Sequence, residues 1–304
     1  MKQFKGSFIL LTTAIIWGTS FVSQKLGMNY IEPFTFSASR FLLGAVVLIP
    51  VIFIFNSLNK RKKTTQDGDE EKLEFETRDL VKGGILCGLA VFLGASTQQW
   101  GIVYTTAGKA GFITALYIVI VPLLGIFIGK KIKPLTWVGV ALAVGGLYLL
   151  TIQEGLSIQK GDAIVLVGTI FWALQIILVE AYVDKTDGLK LSFVQFLTAG
   201  TLSAIAAVIF ENPKMNDIIA CAGPILYTAI VVVGVAYTLQ IIGQKYTSST
   251  VAAIILSMEA LFAAISGAIF LGESMTPREL FGCFLMLVAV IMAQVEPEEV
   301  LEAS

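Results

Sequence analysis

The chain is written as long apolar runs separated by short polar breaks. Ten runs stand out: Phe8–Gln24, Phe34–Phe55, Leu80–Tyr104, Ala110–Ile128, Pro134–Ile152, Ala163–Ala181, Leu191–Phe210, Ala222–Tyr246, Ser249–Leu271 and Pro277–Gln294. Each approaches or exceeds the ~20 residues that cross ~30 Å of hydrocarbon. Hydrocarbon offers no partner to a free backbone N–H or C=O, and no run shows the alternation of a barrel strand, so each is predicted to be a helix. The expected architecture is an all-α polytopic membrane protein with ten transmembrane helices. The one long polar break, residues 56–79, carries the mixed-charge stretch KRKKTTQDGDEEKLEFETRD and reads as a solvated linker.

The runs repeat. YTTAGKAGFITALYIVIVPLL from Tyr104 matches YTSSTVAAIILSMEALFAAIS from Tyr246, and GKKIKPLTWVG (129–139) matches GESMTPRELFG (272–282) at an offset of 143. Near the front, IIWGTSF (15–21) matches TIFWALQI (169–176), which aligns Trp17 with Trp172 at an offset of 155 and Arg40-Phe41 with Gln195-Phe196. The chain therefore reads as two copies of a five-helix unit, residues 8–152 and 163–294. Five is odd, so the second copy enters the membrane from the opposite side. Inverted repeats of this kind place a solute site near the midplane, where the halves meet.

Composition agrees with a membrane setting: 56% of residues are hydrophobic and only 14% charged, against ~25% charged in soluble domains. A signal peptide over residues 1–27 would lack a small-residue cleavage site, and nine apolar segments follow it, so this stretch reads as a retained first span. Orientation follows from the cations. With a cytoplasmic N-terminus, 15 Lys and Arg fall on the inner side and 5 on the outer, with Arg40 inside a span. Both termini are expected in the cytoplasm and the protein in the inner or plasma membrane.

The chemistry that is missing narrows the function. There is no His, and Cys87, Cys221 and Cys283 are isolated, so neither a metal site, a disulfide framework nor a cofactor is expected. An intramembrane enzyme would need a nucleophile with its base, or a metal motif such as HExxH, and neither occurs. GIFIGKK is one residue short of a phosphate loop and lacks its Ser or Thr. No basic patch suits nucleic acid. The expected partners are a small-molecule solute and membrane lipid; the oligomeric state stays open.

Candidate site residues come from polar groups inside spans. Glu259 is the one charged residue between Thr250 and Leu271 and lies ~15 Å from the inner end of its helix, near the midplane. A charge there costs ~2.5–3.5 kcal/mol on insertion scales, so it should face the bundle interior or water. Two readings stand: a carboxylate that loads and releases a proton, or a hydrogen-bonded Glu that bridges helices. Trp17 and Trp172 each sit ~14 Å into their spans. Trp17, Ser20 and Gln24 share one helix face, as do Trp172 with Gln175 and Tyr237 with Gln240 and Gln244. Gln98 is the repeat equivalent of Gln240, and Tyr117 falls one position from that of Glu259, as a hydrogen-bond partner or gate. Arg40, ~9 Å from the outer end of its helix, either meets a substrate carboxylate at the outer mouth, snorkels or pairs internally. Amides and aromatics around a cavity suit a small zwitterionic or amphipathic solute; otherwise they join helices, at ~0.6 kcal/mol each. Gly84/Gly88, Gly125/Gly129 and Gly139/Ala143 read as small-xxx-small packing pairs.

AIIWGTSFVSQK (14–25) with SASRFLLGA (37–45), and SMEALFAAISGAIFLGESMTPRELFG (257–282), resemble the paired EamA domains of the drug/metabolite transporter superfamily over about residues 8–294. The resemblance implies export of amino acids, related metabolites or drugs, in some members without ion coupling. The family often has Glu-Pro in the ninth helix; here Ala260 follows Glu259, which predicts a straighter helix. The combined expectation is a secondary transporter exporting small organic metabolites by alternating access through a central cavity. With no nucleotide-binding motif, its energy would come from gradients, and proton coupling is one route. An uncoupled, channel-like facilitator and a non-transporting membrane scaffold are the alternatives.

Overall fold

A computed structural model describes residues 2–64, 77–151, 159–271 and 276–295. Every regular element among them is helical: α1 (Lys2–Gly27), α2 (Pro33–Thr64), α3 (Thr77–Val103), α4 (Ala107–Ala115), α5 (Tyr117–Phe127), α6 (Pro134–Thr151), α7 (Lys160–Val183), α8 (Gly188–Phe210), α9 (Met215–Ala220), α10 (Ala222–Leu226), a π-helical segment (Tyr227–Tyr237), α11 (Thr238–Gln244), α12 (Ser249–Leu256), α13 (Glu259–Leu271) and α14 (Pro277–Val295). Among the described residues, eight stretches are long and apolar enough to cross a membrane. The expected spans at 134–152 and 277–294 are present as helices α6 and α14, but neither reaches that combined length and apolarity within the described residues.

The charged linker is shorter than its composition suggests. α2 continues to Thr64 and α3 begins at Thr77, so only 65–76 of the expected loop lie outside the described helices. Lys and Arg are good helix formers, and they carry α2 past its apolar end. The N-terminus of α2 is capped across the fold. Glu211, at the end of α8, accepts from Phe34 N (2.7 Å), Thr35 N (2.7 Å) and Thr35 Oγ1 (2.6 Å). A carboxylate there satisfies orphan amides and complements the helix dipole.

Two expected spans are broken in the middle, at corresponding places. α4 gives way to α5 at Leu116, and α12 to α13 at Ser257–Met258. At both breaks a hydroxyl bonds to a carbonyl of the turn before the break. Thr169 Oγ1, on α7, donates to Ile113 O (3.0 Å), the carbonyl that Tyr117 N would use. Ser257 Oγ donates to Ile254 O (2.8 Å), and Met258 N turns to Ile255 O instead (3.1 Å). The straighter ninth helix expected from Ala260 is not observed: the helix breaks at Ser257–Met258, where Met258 N pairs three residues back, with Ile255 O.

Close approach through glycine holds α3 against α8. A Cβ on Gly84 would lie 2.4 Å from Val194 Cγ1, and one on Gly88 2.6 Å from Gln195 O. The Gly125/Gly129 pair does not pack helices. Gly129 takes φ +84° with no neighbour within 4 Å of a Cβ, and Lys130 N closes the turn on Gly125 O (2.9 Å); this is a helix terminus that needs the left-handed region. Gly139 is only loosely packed, and Gly146 makes the tight contact in α6, against Gly282 O. α1, α7, α3 and α8 with α2 and the π-helical segment surround the centre. Phe53, Phe127, Val208 and Phe210 are among the many large apolar side chains that face outward, as lipid contact requires.

Candidate functional site

A narrow cavity lies at the centre of the bundle, between α1, α2, α3, the α4–α5 break, α7, the π-helical segment and the start of α13. Its walls include Trp17, Ser20, Gln24, Arg40, Gln98, Tyr117, Trp172, Gln175, Tyr237 and Glu259, together with Phe21, Thr114, Ile176 and Val232. Ten of the residues singled out in the sequence thus meet here. Gln240 and Gln244 stand behind the wall. A second, wider cleft is lined by Tyr30, Phe34, Trp100, Tyr104 and Phe210 together with the carboxylates Glu32 and Glu211.

The helical registers explain the convergence. Trp17, Ser20 and Gln24 descend one face of α1. Ser20 Oγ donates to Trp17 O (2.7 Å) and accepts from Gln24 Nε2 (3.0 Å). Gln98 is the hub of a buried network: its Nε2 donates to Gln24 Oε1 (3.2 Å), and its Oε1 accepts from Trp172 Nε1 (2.8 Å) and Thr114 Oγ1 (3.5 Å). A second network lies deeper. Gln240 Nε2 donates to Gln175 Oε1 (2.9 Å) and Gln244 Oε1 (2.9 Å), Gln175 Nε2 donates to Gln195 Oε1 (3.3 Å), and Gln244 Nε2 donates to Ile176 O (2.8 Å). The role of Gln240 and Gln244 is thereby positional: they orient Gln175. Gln99 and Gln195 were not singled out as site residues, although alignment of the repeats had already paired Gln195 with Arg40. Gln98→Leu should leave the Trp172 N–H without its acceptor and lower stability by about 1–3 kcal/mol, read as a drop of several degrees in the unfolding temperature in detergent. An unchanged transition would show that the network contributes nothing net.

The aromatic groups form a connected wall. The Tyr237 ring lies 4.8 Å from Trp17, 6.1 Å from Trp172 and 5.3 Å from Phe196. Phe196 in turn stacks on Phe41 at 6.0 Å with the planes 4° apart, so the residues after Arg40 and Gln195 meet face to face.

Two charged groups remain. Glu259 begins α13, at the break, and is 3% exposed. Tyr117, which begins α5 at the equivalent break, donates from its OH to Glu259 Oε1 (3.1 Å). Arg40 is 4% exposed and lines the central cavity rather than the outer mouth. Its guanidinium packs over Phe41 (4.7 Å) and Phe36 (5.4 Å). No carboxylate stands within ion-pair distance of it among the described residues, and its Nε lacks a hydrogen-bond partner. Trp17 Nε1 also lacks one, unlike its counterpart in Trp172. A buried cation without a partner is strongly unfavourable, so the cavity is electrostatically incomplete and can take an acceptor-rich group at Arg40. No cluster of His, Cys, Asp or Glu able to hold a metal occurs among the described residues.

Against known proteins, the EamA-like transporter family matches the chain twice, over residues 4–152 and 159–294. The chain belongs to the EamA-like transporter family. Among relatives of this family, an uncharacterized transporter of Archaeoglobus fulgidus is 32% identical over 296 residues, spanning 96% of this chain and 86% of the relative. The uncharacterized inner membrane transporter YedA of Escherichia coli is 22% identical, spanning 93% of this chain and 88% of its own length. A crystal structure at 16% identity superposes with a TM-score of 0.72 over 95% of this chain and 96% of the other, which shows a shared fold. As an EamA-like transporter, the protein is a multi-pass membrane protein.

Proposed function

We propose that this EamA-like protein is a secondary transporter that exports small organic metabolites, amino acids or related compounds, from the cytoplasm across the inner membrane. Access alternates through the central cavity, between two inverted five-helix repeats, residues 8–152 and 163–294. The observation that carries this reading is an unpaired buried guanidinium and a buried carboxylate on the walls of one amide- and aromatic-lined cavity. A zwitterion complements that pair, its carboxylate at Arg40 and its ammonium at Glu259, with Trp17, Trp172 and Tyr237 against its apolar part.

The paired helix breaks support the inverted repeat. Tyr117 and Glu259, the first residues after each break, are 142 positions apart. Broken helices at mid-depth are tolerated where they line a cavity, and they supply hinges. Each half then moves about its own break while the cavity between them changes sides. The excess of cations on the cytoplasmic side and the name of the Escherichia coli relative support an inner-membrane location with both termini inside.

The test is flux in proteoliposomes. Vesicles are loaded with the twenty amino acids and a panel of small carboxylates, amines and neutral metabolites, with and without an imposed pH gradient, and compared with protein-free vesicles. Efflux that follows the pH gradient supports a proton-coupled exporter; efflux that follows only the solute gradient supports a facilitator. No protein-dependent flux of any solute would count against transport of small metabolites.

A further inference from the structure

Two half-helices beside the cavity, α4 and α12, each end at a break, and a charged side chain bonds to the backbone at or just ahead of the start of each. The ties use opposite charges at equivalent positions. Lys25, in the last turn of α1, donates from Nζ to Ile102 O (2.6 Å) and Val103 O (3.4 Å), the last two carbonyls of α3, and to Thr105 O (2.9 Å), in the connection two residues ahead of α4. Glu180, near the end of α7, accepts from Ser249 N, the first residue of α12 (3.1 Å), and pairs with Lys130, which also donates to Ser249 Oγ (3.3 Å). Lys25 and Glu180 are 155 positions apart, the separation that relates Trp17 to Trp172. A cation closes on carbonyls in one half, and an anion closes on an N–H in the other.

The ties stand at opposite ends of the cavity. Thr105 donates from Oγ1 to Asp162 Oδ1 (2.5 Å), and Gly161 packs against Gly101 O, so the Lys25 cluster sits at the N-terminal end of α7. Glu180 is 18 residues further along that helix, ~27 Å away at 1.5 Å per residue. Lys109 adds a longer contact to Asp162 (3.9 Å) on the Lys25 side. Both ties are closed here.

We infer that Lys25 and Glu180 are gating residues. Each holds one half-helix shut over one mouth of the cavity, and the transport cycle releases one tie while the other stays closed. This inference rests on the transporter reading above. It accounts for why a helix-end cation reaches the α3–α4 connection and a helix-end carboxylate the start of α12, rather than solvent.

Sidedness tests it. The reporter is Thr114→Cys on the cavity wall, in the full chain with Cys87, Cys221 and Cys283 replaced by Ala, in vesicles of known orientation. A membrane-impermeant maleimide is added to one face at a time. Lys25→Gln should raise the labelling rate on the order of tenfold from the face that carries Lys25 alone, and Glu180→Gln by a similar factor from the opposite face alone. Equal increases from both faces, increases from the same face, or no change in either variant would overturn the inference. To guard against a variant that merely loosens the fold, Lys25→Cys with Thr105→Cys is joined by a reducible bifunctional thiol reagent. Cross-linking should block both labelling of Thr114→Cys from that face and solute flux, and reductant should restore both. If the native protein moves no solute while the two variants still open opposite faces, the gates stand and the choice of transported solutes fails.

Discussion

Replacing Arg40 with Gln is expected to lower the flux of carboxylate-bearing solutes on the order of 100-fold while raising the unfolding temperature by a few degrees. The two effects share one origin. Arg40 is 4% exposed and has no anionic partner among the described residues, so the empty protein carries an uncompensated cation. Replacing buried ion pairs by neutral packing is often neutral or stabilising, by about 1–4 kcal/mol, and here the cation has no anionic partner to lose. In the loaded protein the same group makes a charge-assisted, bidentate bond to a carboxylate, and loss of such a partner costs about 2–5 kcal/mol of binding. Arg40→Lys separates charge from geometry. It keeps the cation but not the planar fork, so flux should fall between native and Arg40→Gln. The check is flux of each acid beside its amide analogue. The assignment fails if Arg40→Gln lowers both alike, or if the variant is less stable and transport of the acid is unchanged.

Glu259 yields the second large effect. Glu259→Gln keeps a hydrogen-bond acceptor for Tyr117 and removes titration; Glu259→Leu removes both. If the carboxylate carries a proton inward as solute leaves, acid outside should load it from the outer face and alkaline inside should unload it. Efflux from native vesicles should then rise as the outer pH is lowered at fixed inner pH. In Glu259→Gln that acceleration should vanish, while efflux down a solute gradient persists at a lower rate, most reduced for solutes that carry an ammonium. Glu259→Leu should lose both and unfold earlier by about 1–3 kcal/mol, because the Tyr117 hydroxyl is left buried without an acceptor. A pH response retained in Glu259→Gln would assign the proton step elsewhere and leave Glu259 a ligand for the substrate ammonium or a bridge between the two hinges.

Much of this site was legible in the sequence because membrane spans make polarity informative. Inside hydrocarbon every amide, indole or charge stands out, and helical periodicity decides which share a face. That reasoning collected Trp17, Ser20 and Gln24, Trp172 and Gln175, and Tyr237, and it paired Tyr117 with Glu259 through the repeat. It misjudged depth and layering. The outer mouth was one of three readings for Arg40; the packing of α2 puts it on the central cavity instead. Gln240 and Gln244 were expected on the wall, because a shared face does not say which neighbour it touches. The Gly125/Gly129 spacing fits helix packing, yet α5 ends at Phe127 and Gly129 forms the turn.

The sequence by itself determined the all-helical membrane class, the positions of most spans, the two-fold repetition and the identity of nearly all cavity-lining polar groups. These follow from composition and period, which are local and need no coordinates. The tertiary structure decided where helices break, which glutamine orients which, and what the terminal charges hold. Thr169 bonds to the last turn of a helix that ends 54 residues before it, Glu211 caps one that begins 178 residues before it, and Glu180 accepts from Ser249 N. Each is a bond between a side chain and a distant backbone group. Which backbone group lies within reach is fixed only when the helices pack.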